Sequence, residues 1–117
     1  MKNLIAALLA TCASPGPARL PDDARPAVIV EPNVRSRAAL LQAVTDLLGG
    51  ARPLLADDAL TRESTLIIER THLEGRDRGV PEHFRLFLSN GICVLVREKT
   101  GQSATLVETR CVVYSTP

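Results

Sequence analysis

The chain has 117 residues, of which 45% are hydrophobic and 23% are charged, a composition typical of one small folded domain rather than of a disordered or collagen-like chain. Its net charge is +1, aromatic residues make up 3%, and Trp is absent. Nucleic-acid binding depends on basic patches and stacking rings, so no nucleic-acid partner is expected. The longest apolar stretch, Leu4 to Ala10, is much shorter than the roughly 18 residues that a membrane span needs.

The N-terminal residues have the layout of a secretory signal peptide. One cation, Lys2, precedes the apolar stretch Leu4 to Ala10, and small residues follow it. The next feature resembles the lipobox of bacterial lipoproteins and consists of Leu9, Ala10, Thr11 and Cys12. The resemblance implies that residues 1–11 are a cleaved signal peptide and that Cys12 carries the lipid, palmitate included.

Residues 12–25 are rich in proline and small side chains, which predicts a flexible tether that packs no core. Residues 26–117 are then the folded domain. We expect it in the periplasm, anchored to the outer membrane. Two alternatives remain: a soluble secreted protein that loses Cys12 with its leader, and a cytosolic protein with three buried thiols.

Three cysteines leave one without a partner if the other two form a disulfide. Lipid on Cys12 would remove this odd thiol from the count. Cys93 and Cys111 could then form a disulfide, which persists in an oxidising compartment such as the periplasm.

The pattern after residue 26 predicts an α+β fold, with one amphipathic helix packed on a mostly antiparallel sheet of four to five strands. Leucine and valine recur at helical spacing between Ser36 and Gly49, and Asn33 or Ser36 could cap the helix. Residues 52–63 are expected to form a loop. The predicted strands are Ala27 to Val30, Thr65 to Thr71, His83 to Leu88, Ile92 to Glu98 and Thr105 to Tyr114.

Asn90 and Gly91 lie between two strand-like runs, which predicts a type I′ hairpin turn. The turn sets a register in which facing residues are Ser89 and Ile92, Leu88 and Cys93, Leu86 and Leu95, and Phe84 and Arg97. If Cys93 also faced Cys111 across the next hairpin, Arg97 would lie opposite Val107, with a turn centred on Gln102.

This register divides the side chains between two faces of the sheet. The expected core face carries Phe84, Leu86, Leu88, Cys93, Leu95, Val107, Cys111 and Val113. The other face carries His83, Arg85, Phe87, Ile92, Val94, Val96, Glu98, Leu106, Glu108, Arg110, Val112 and Tyr114. It is unusually apolar for a solvated surface, so we assign its residues Phe87, Val94, Val96 and Tyr114 to partner binding. Alternatively, the sheet curls, or the first strand and residues 52–63 cover this face.

The chemistry-bearing residues do not predict an enzyme, a metal or a cofactor. His72 and His83 flank a charged loop, but their spacing matches no common zinc site. No nucleophile elbow of the Gly-x-Ser-x-Gly type occurs. We therefore expect a protein-binding accessory or assembly component that docks on another envelope protein. The alternative is an inhibitor of a secreted protease or lysozyme, which would insert loop 72–83 through its tip Arg76, Asp77 and Arg78.

Overall fold

The structure is a computed structural model that describes residues 20–69 and 81–115. Within these residues one helix packs on a six-stranded antiparallel sheet, so the predicted α+β class is confirmed and the predicted strand number is slightly low. The elements are β1 (Arg25–Val30), α1 (Val34–Leu47), β2 (Thr65–Ile68), β3 (Glu82–Ser89), β4 (Ile92–Arg97), β5 (Ser103–Leu106) and β6 (Arg110–Val113).

Helix α1 begins with a capping box that uses both predicted caps. The Ser36 backbone N–H donates to Oδ1 of Asn33, and the Asn33 N–H donates to Oγ of Ser36, each at 2.9 Å. The helix ends before Gly49 and Gly50, whose φ angles of 77° and 108° suit glycine and stop the helix. Its buried side consists of Ser36, Leu40, Ala43, Val44 and Leu47.

The β3–β4 hairpin has the predicted turn and register. Asn90 and Gly91 both have positive φ angles, 53° and 75°, as a type I′ turn requires. The facing pairs include Ser89 with Ile92, Leu88 with Cys93, Leu86 with Leu95, and Phe84 with Arg97. The turn residues Asn90 and Gly91 therefore determine the register of the β3–β4 hairpin.

The edge of β3 that faces away from β4 is shared by two strands. β2 pairs with its first half, from Ile68 opposite Glu82 to Thr65 opposite Arg85. β1 pairs with its last part, where Pro26 faces Phe87. β1 then continues as the partner of β6, which gives the strand order β5-β4-β3-β1-β6 with β2 beside β3.

The predicted strand Thr105 to Tyr114 is two strands. Glu108 has a φ of 50°, which breaks the extended backbone between β5 and β6. β5 pairs with β4, with Ser103 opposite Val96, whereas β6 pairs with β1. The expected facing of Arg97 and Val107 is therefore wrong; the Arg97 N–H instead donates to the Gln102 carbonyl at 2.9 Å.

The predicted disulfide between Cys93 and Cys111 is present, with 6.0 Å between the two Cα atoms. The two cysteines are not neighbours in one hairpin, because Cys111 lies in β6 opposite Ile29 of β1. In a flat sheet, β4 and β6 would be three strand spacings apart, about 14 Å. The sheet therefore curls until β6 approaches β4, and the disulfide fixes that curvature.

The core lies between α1 and the concave face of the curled sheet. Its buried residues are Ala27, Ile29, Leu40, Ala43, Val44, Leu47, Leu60, Phe84, Leu86, Cys93, Leu95 and Leu106. Two expected core residues, Val107 and Val113, are instead 63% and 47% exposed, and Leu106, expected on the outer face, is 3% exposed. The register of β5, which aligns Leu106 with the buried Cys93, accounts for Leu106 and Val107. Val113 faces Ala27 from β6, which lies at the edge of the sheet.

Candidate interaction surface

Three of the four predicted partner-binding residues on the sheet lie in one row on its convex face. The Tyr114 N–H donates to the Pro26 carbonyl at 2.8 Å, Pro26 is paired with Phe87, and Phe87 is paired with Val94. Paired residues of antiparallel strands share a face. Residues of β1, β3 and β4 and the residue that follows β6 thus form a row about 14 Å long, counted as three strand spacings.

The fourth residue, Val96, lies beside this row and is paired with Arg85. Arg85 is held over the Phe87 ring, with its guanidinium carbon 5.3 Å from the ring centroid. Its Nε atom also lies 3.8 Å from a carboxylate oxygen of Glu98. The charge of Arg85 is therefore balanced by a neighbouring acid, and the described side chains of this surface are mainly apolar. We call Phe87, Val94, Val96 and Tyr114 the outer patch.

Each residue of the outer patch is partly exposed. The two segments expected to cover it pack elsewhere. β1 lies within the sheet beside β3, and residues 53–59 border a groove beside the first half of α1. Leu55, Ala59 and Leu60 join the core cluster on the opposite side of the sheet. The expected curl is present, but it leaves these four side chains on the outer surface.

The structure also contains a buried ion pair that was not predicted from the sequence. Arg97 donates from Nε and Nη2 to the two carboxylate oxygens of Glu82, both at 2.8 Å, and from Nη1 to the Leu47 carbonyl at 2.9 Å. These hydrogen bonds to Glu82 raise the pKa of Arg97, and burial opposes the rise. The pair fastens the end of α1 to the sheet and satisfies a helix carbonyl.

A pattern in the sequence could have indicated this pair. Glu82 has the same strand parity as Phe84 and Leu86, and Arg97 is aligned with Phe84 by the hairpin register. Both charges therefore belong to the core face of adjacent strands, where a diagonal pair can form. Opposite charges at such positions predict an internal ion pair.

Several predicted residues lie outside the described part of the chain: Cys12, His72, Arg76, Asp77 and Arg78. His83 is described and partly exposed, and its carbonyl accepts the Glu98 N–H at 2.9 Å. Across residues 20–69 and 81–115, no group of three or more His, Cys, Asp or Glu is placed to hold a metal ion. The same residues include no helix with the length and hydropathy of a membrane span.

Comparison of the chain with models of protein families, with curated proteins and with solved structures found no match.

Proposed function

We propose that this chain is an exported lipoprotein whose folded domain docks on another envelope protein through the outer patch. The observation that carries the docking role is the apolar row from Tyr114 through Pro26 and Phe87 to Val94 on the convex face of the sheet. Partly exposed apolar side chains that lie together on a sheet typically mark a protein contact.

The disulfide supports the export part of the proposal. Cys93 and Cys111 form a disulfide that links strands far apart in the strand order. Disulfides of this structural kind are typical of the periplasm and other oxidising compartments. Lipid on Cys12 would account for the third cysteine and would hold the domain close to a membrane, where its partner is expected.

The charge of the domain favours a contact that depends on apolar burial. Lys2 is the only charge that precedes Cys12, so cleavage there would change the net charge from +1 to 0. A neutral domain has little long-range attraction for a charged partner. The ion pair of Arg85 with Glu98 further reduces the field at the outer patch.

Hydrolase inhibition through Arg76, Asp77 and Arg78 is the second candidate. Those residues lie outside the described chain, whereas the outer patch has a defined geometry. Docking is therefore the function proposed here, and the experiment below also distinguishes inhibition from it.

The test is a cross-linking and affinity-capture experiment in the native envelope with Val94→Lys. Val94 lies at one end of the apolar row, opposite Phe87, and is partly exposed, so the lysine can reach solvent while placing a charge in the contact. We expect the variant to lose most of the captured partner, at least about tenfold, because an unpaired charge would be buried in the interface.

Gln42→Lys is the matched control, because Gln42 is exposed on α1 and the substitution adds the same charge. It should capture the partner at the wild-type level. If Val94→Lys keeps its fold and captures the partner as well as Gln42→Lys does, the outer patch is not the docking site. Loss of capture on changing Arg76 and Arg78 instead would favour the inhibitory loop.

A further inference from the structure

Strand β2 has one edge that no described strand covers. Among the described residues, β2 pairs with β3 alone. The Leu86 N–H donates to the Ser64 carbonyl at 2.8 Å, so the alternation of antiparallel bonds directs the backbone groups of Leu66 and Ile68 toward β3. The backbone N–H and C=O groups of Thr65, Ile67 and Glu69 then point away from the sheet.

A groove of about 460 Å³ follows this edge. All four residues of β2 line it, although successive side chains of a strand point to opposite faces. A groove that touches all four must therefore run along the edge of the strand. Its far side is formed by residues 54–63, including Leu54, which is 94% exposed, and Ile67 of β2 is 52% exposed.

The charges around the groove are mainly acidic. Arg62 lies 3.8 Å from Asp58, so these two charges offset each other. In the described ranges, Glu63, which lines the groove, and Glu69, which follows β2, have no ion-pair partner. Two copies of the chain paired through β2 would bring these acids together, which disfavours self-association. The groove is better matched by a basic partner.

We infer that the β2 edge binds an extended, basic peptide segment of another protein by adding it to the sheet as a further strand. Backbone groups of Thr65, Ile67 and Glu69 would form the hydrogen bonds, and the groove would receive alternate apolar side chains. Leu54 and Ile67 would be covered by the bound segment. The inference rests on the proposed protein-binding role, but it assigns a surface separate from the outer patch.

The test uses a short capped peptide of alternating valine and arginine as the probe, with amide hydrogen exchange and binding isotherms measured on the full chain. We expect the amides of Thr65, Ile67 and Glu69 to exchange more slowly when the peptide is bound. Ile67→Pro should weaken binding about tenfold or more, because proline removes an outward N–H and keeps the β3 pairing. Ile67→Thr, which keeps the N–H and the branched side chain, should change binding less than about threefold.

Two further probes keep the result interpretable if Ile67→Pro fails to fold. A peptide methylated on the backbone nitrogens that face β2 should lose binding to the wild-type chain, and a valine-glutamate peptide should bind more weakly than the valine-arginine peptide. Unchanged exchange at Thr65, Ile67 and Glu69, equal binding of the methylated peptide, or dimerisation through β2 would overturn the inference. Val94→Lys should leave peptide binding intact, so failure at one surface is distinguishable from failure at the other.

Discussion

Glu82 and Arg97 place two opposite charges inside a small core and connect the sheet to the helix. The side chain of Glu82 is 2% exposed and that of Arg97 is 15% exposed. Burial of either charge alone would be costly, but the two-pronged pairing and the Leu47 carbonyl provide hydrogen-bonding partners for the guanidinium. The main effect of the pair is therefore to fix the position of α1 along the sheet. Its net contribution to the free energy of folding is the smaller effect.

Glu82→Gln should lower the free energy of unfolding by about 3 kcal/mol, because it leaves the buried Arg97 cation without a neutralising carboxylate. Urea denaturation followed by circular dichroism would measure the loss. The raised pKa of Arg97 means that its contribution is fully present below the ordinary arginine pKa and is lost only as the pH rises through the folded value. Near neutral pH, titration of Arg97 should therefore not change the loss of unfolding free energy that Glu82→Gln causes.

Glu98→Gln is the matched control for that measurement. Glu98 pairs with Arg85 at 3.8 Å, and both side chains are close to half exposed. Solvent screens such a pair, so the substitution should cost less than about 1 kcal/mol. Equal losses for Glu82→Gln and Glu98→Gln would show that the internal pair has no special role.

At the level of elements, predictions succeeded where the determining interactions are local. The capping residue Asn33 and the glycines after α1 defined the helix, and Asn90 with Gly91 defined the β3–β4 register. The split of the last predicted strand could not be predicted from local residues, because a glutamate at position 108 does not indicate a positive φ angle. The break follows from pairing between β6 and β1, which are far apart in the sequence and therefore give no local pattern.

The disulfide should determine whether β6 stays on the curled sheet. Cys111→Ala removes a link with a sequence separation of 18 residues, which should cost about 3 kcal/mol by the loop-entropy relation. Hydrogen exchange should show the largest loss of protection in β6 and at the amide of the next residue, Tyr114, which donates to Pro26. The β3–β4 hairpin should keep more of its protection, since its turn and pairing are local.

Dithiothreitol added to Cys111→Ala provides the control, because the variant has no Cys93–Cys111 bond left to reduce. It should cause no further loss of stability, whereas the wild-type chain should fall toward the variant. Equal loss of protection at Tyr114 and Leu86 would contradict a local role of the disulfide at β6.

For the whole molecule, the sequence was sufficient to predict the fold class and the cysteine pair, and it placed the four residues of the outer patch on the sheet face opposite the core. It could not show that Tyr114 joins Phe87 and Val94 in one row, because that depends on Pro26 and on the long-range pairing of β1 with two strands. The groove beside β2 was also beyond prediction, since it forms where residues 54–63 approach a strand edge. Non-local strand order therefore determines both proposed binding surfaces.

Export and lipid attachment are the common basis of the proposed role. Intact mass spectrometry of the protein isolated from its native membranes, before and after alkylation of free thiols, tests them most directly. We expect a chain that begins at Cys12, carries the added mass of lipid, and takes up alkylating agent at neither Cys93 nor Cys111 until it is reduced. A full-length chain that begins at Met1 and is alkylated at all three cysteines without reduction would contradict this.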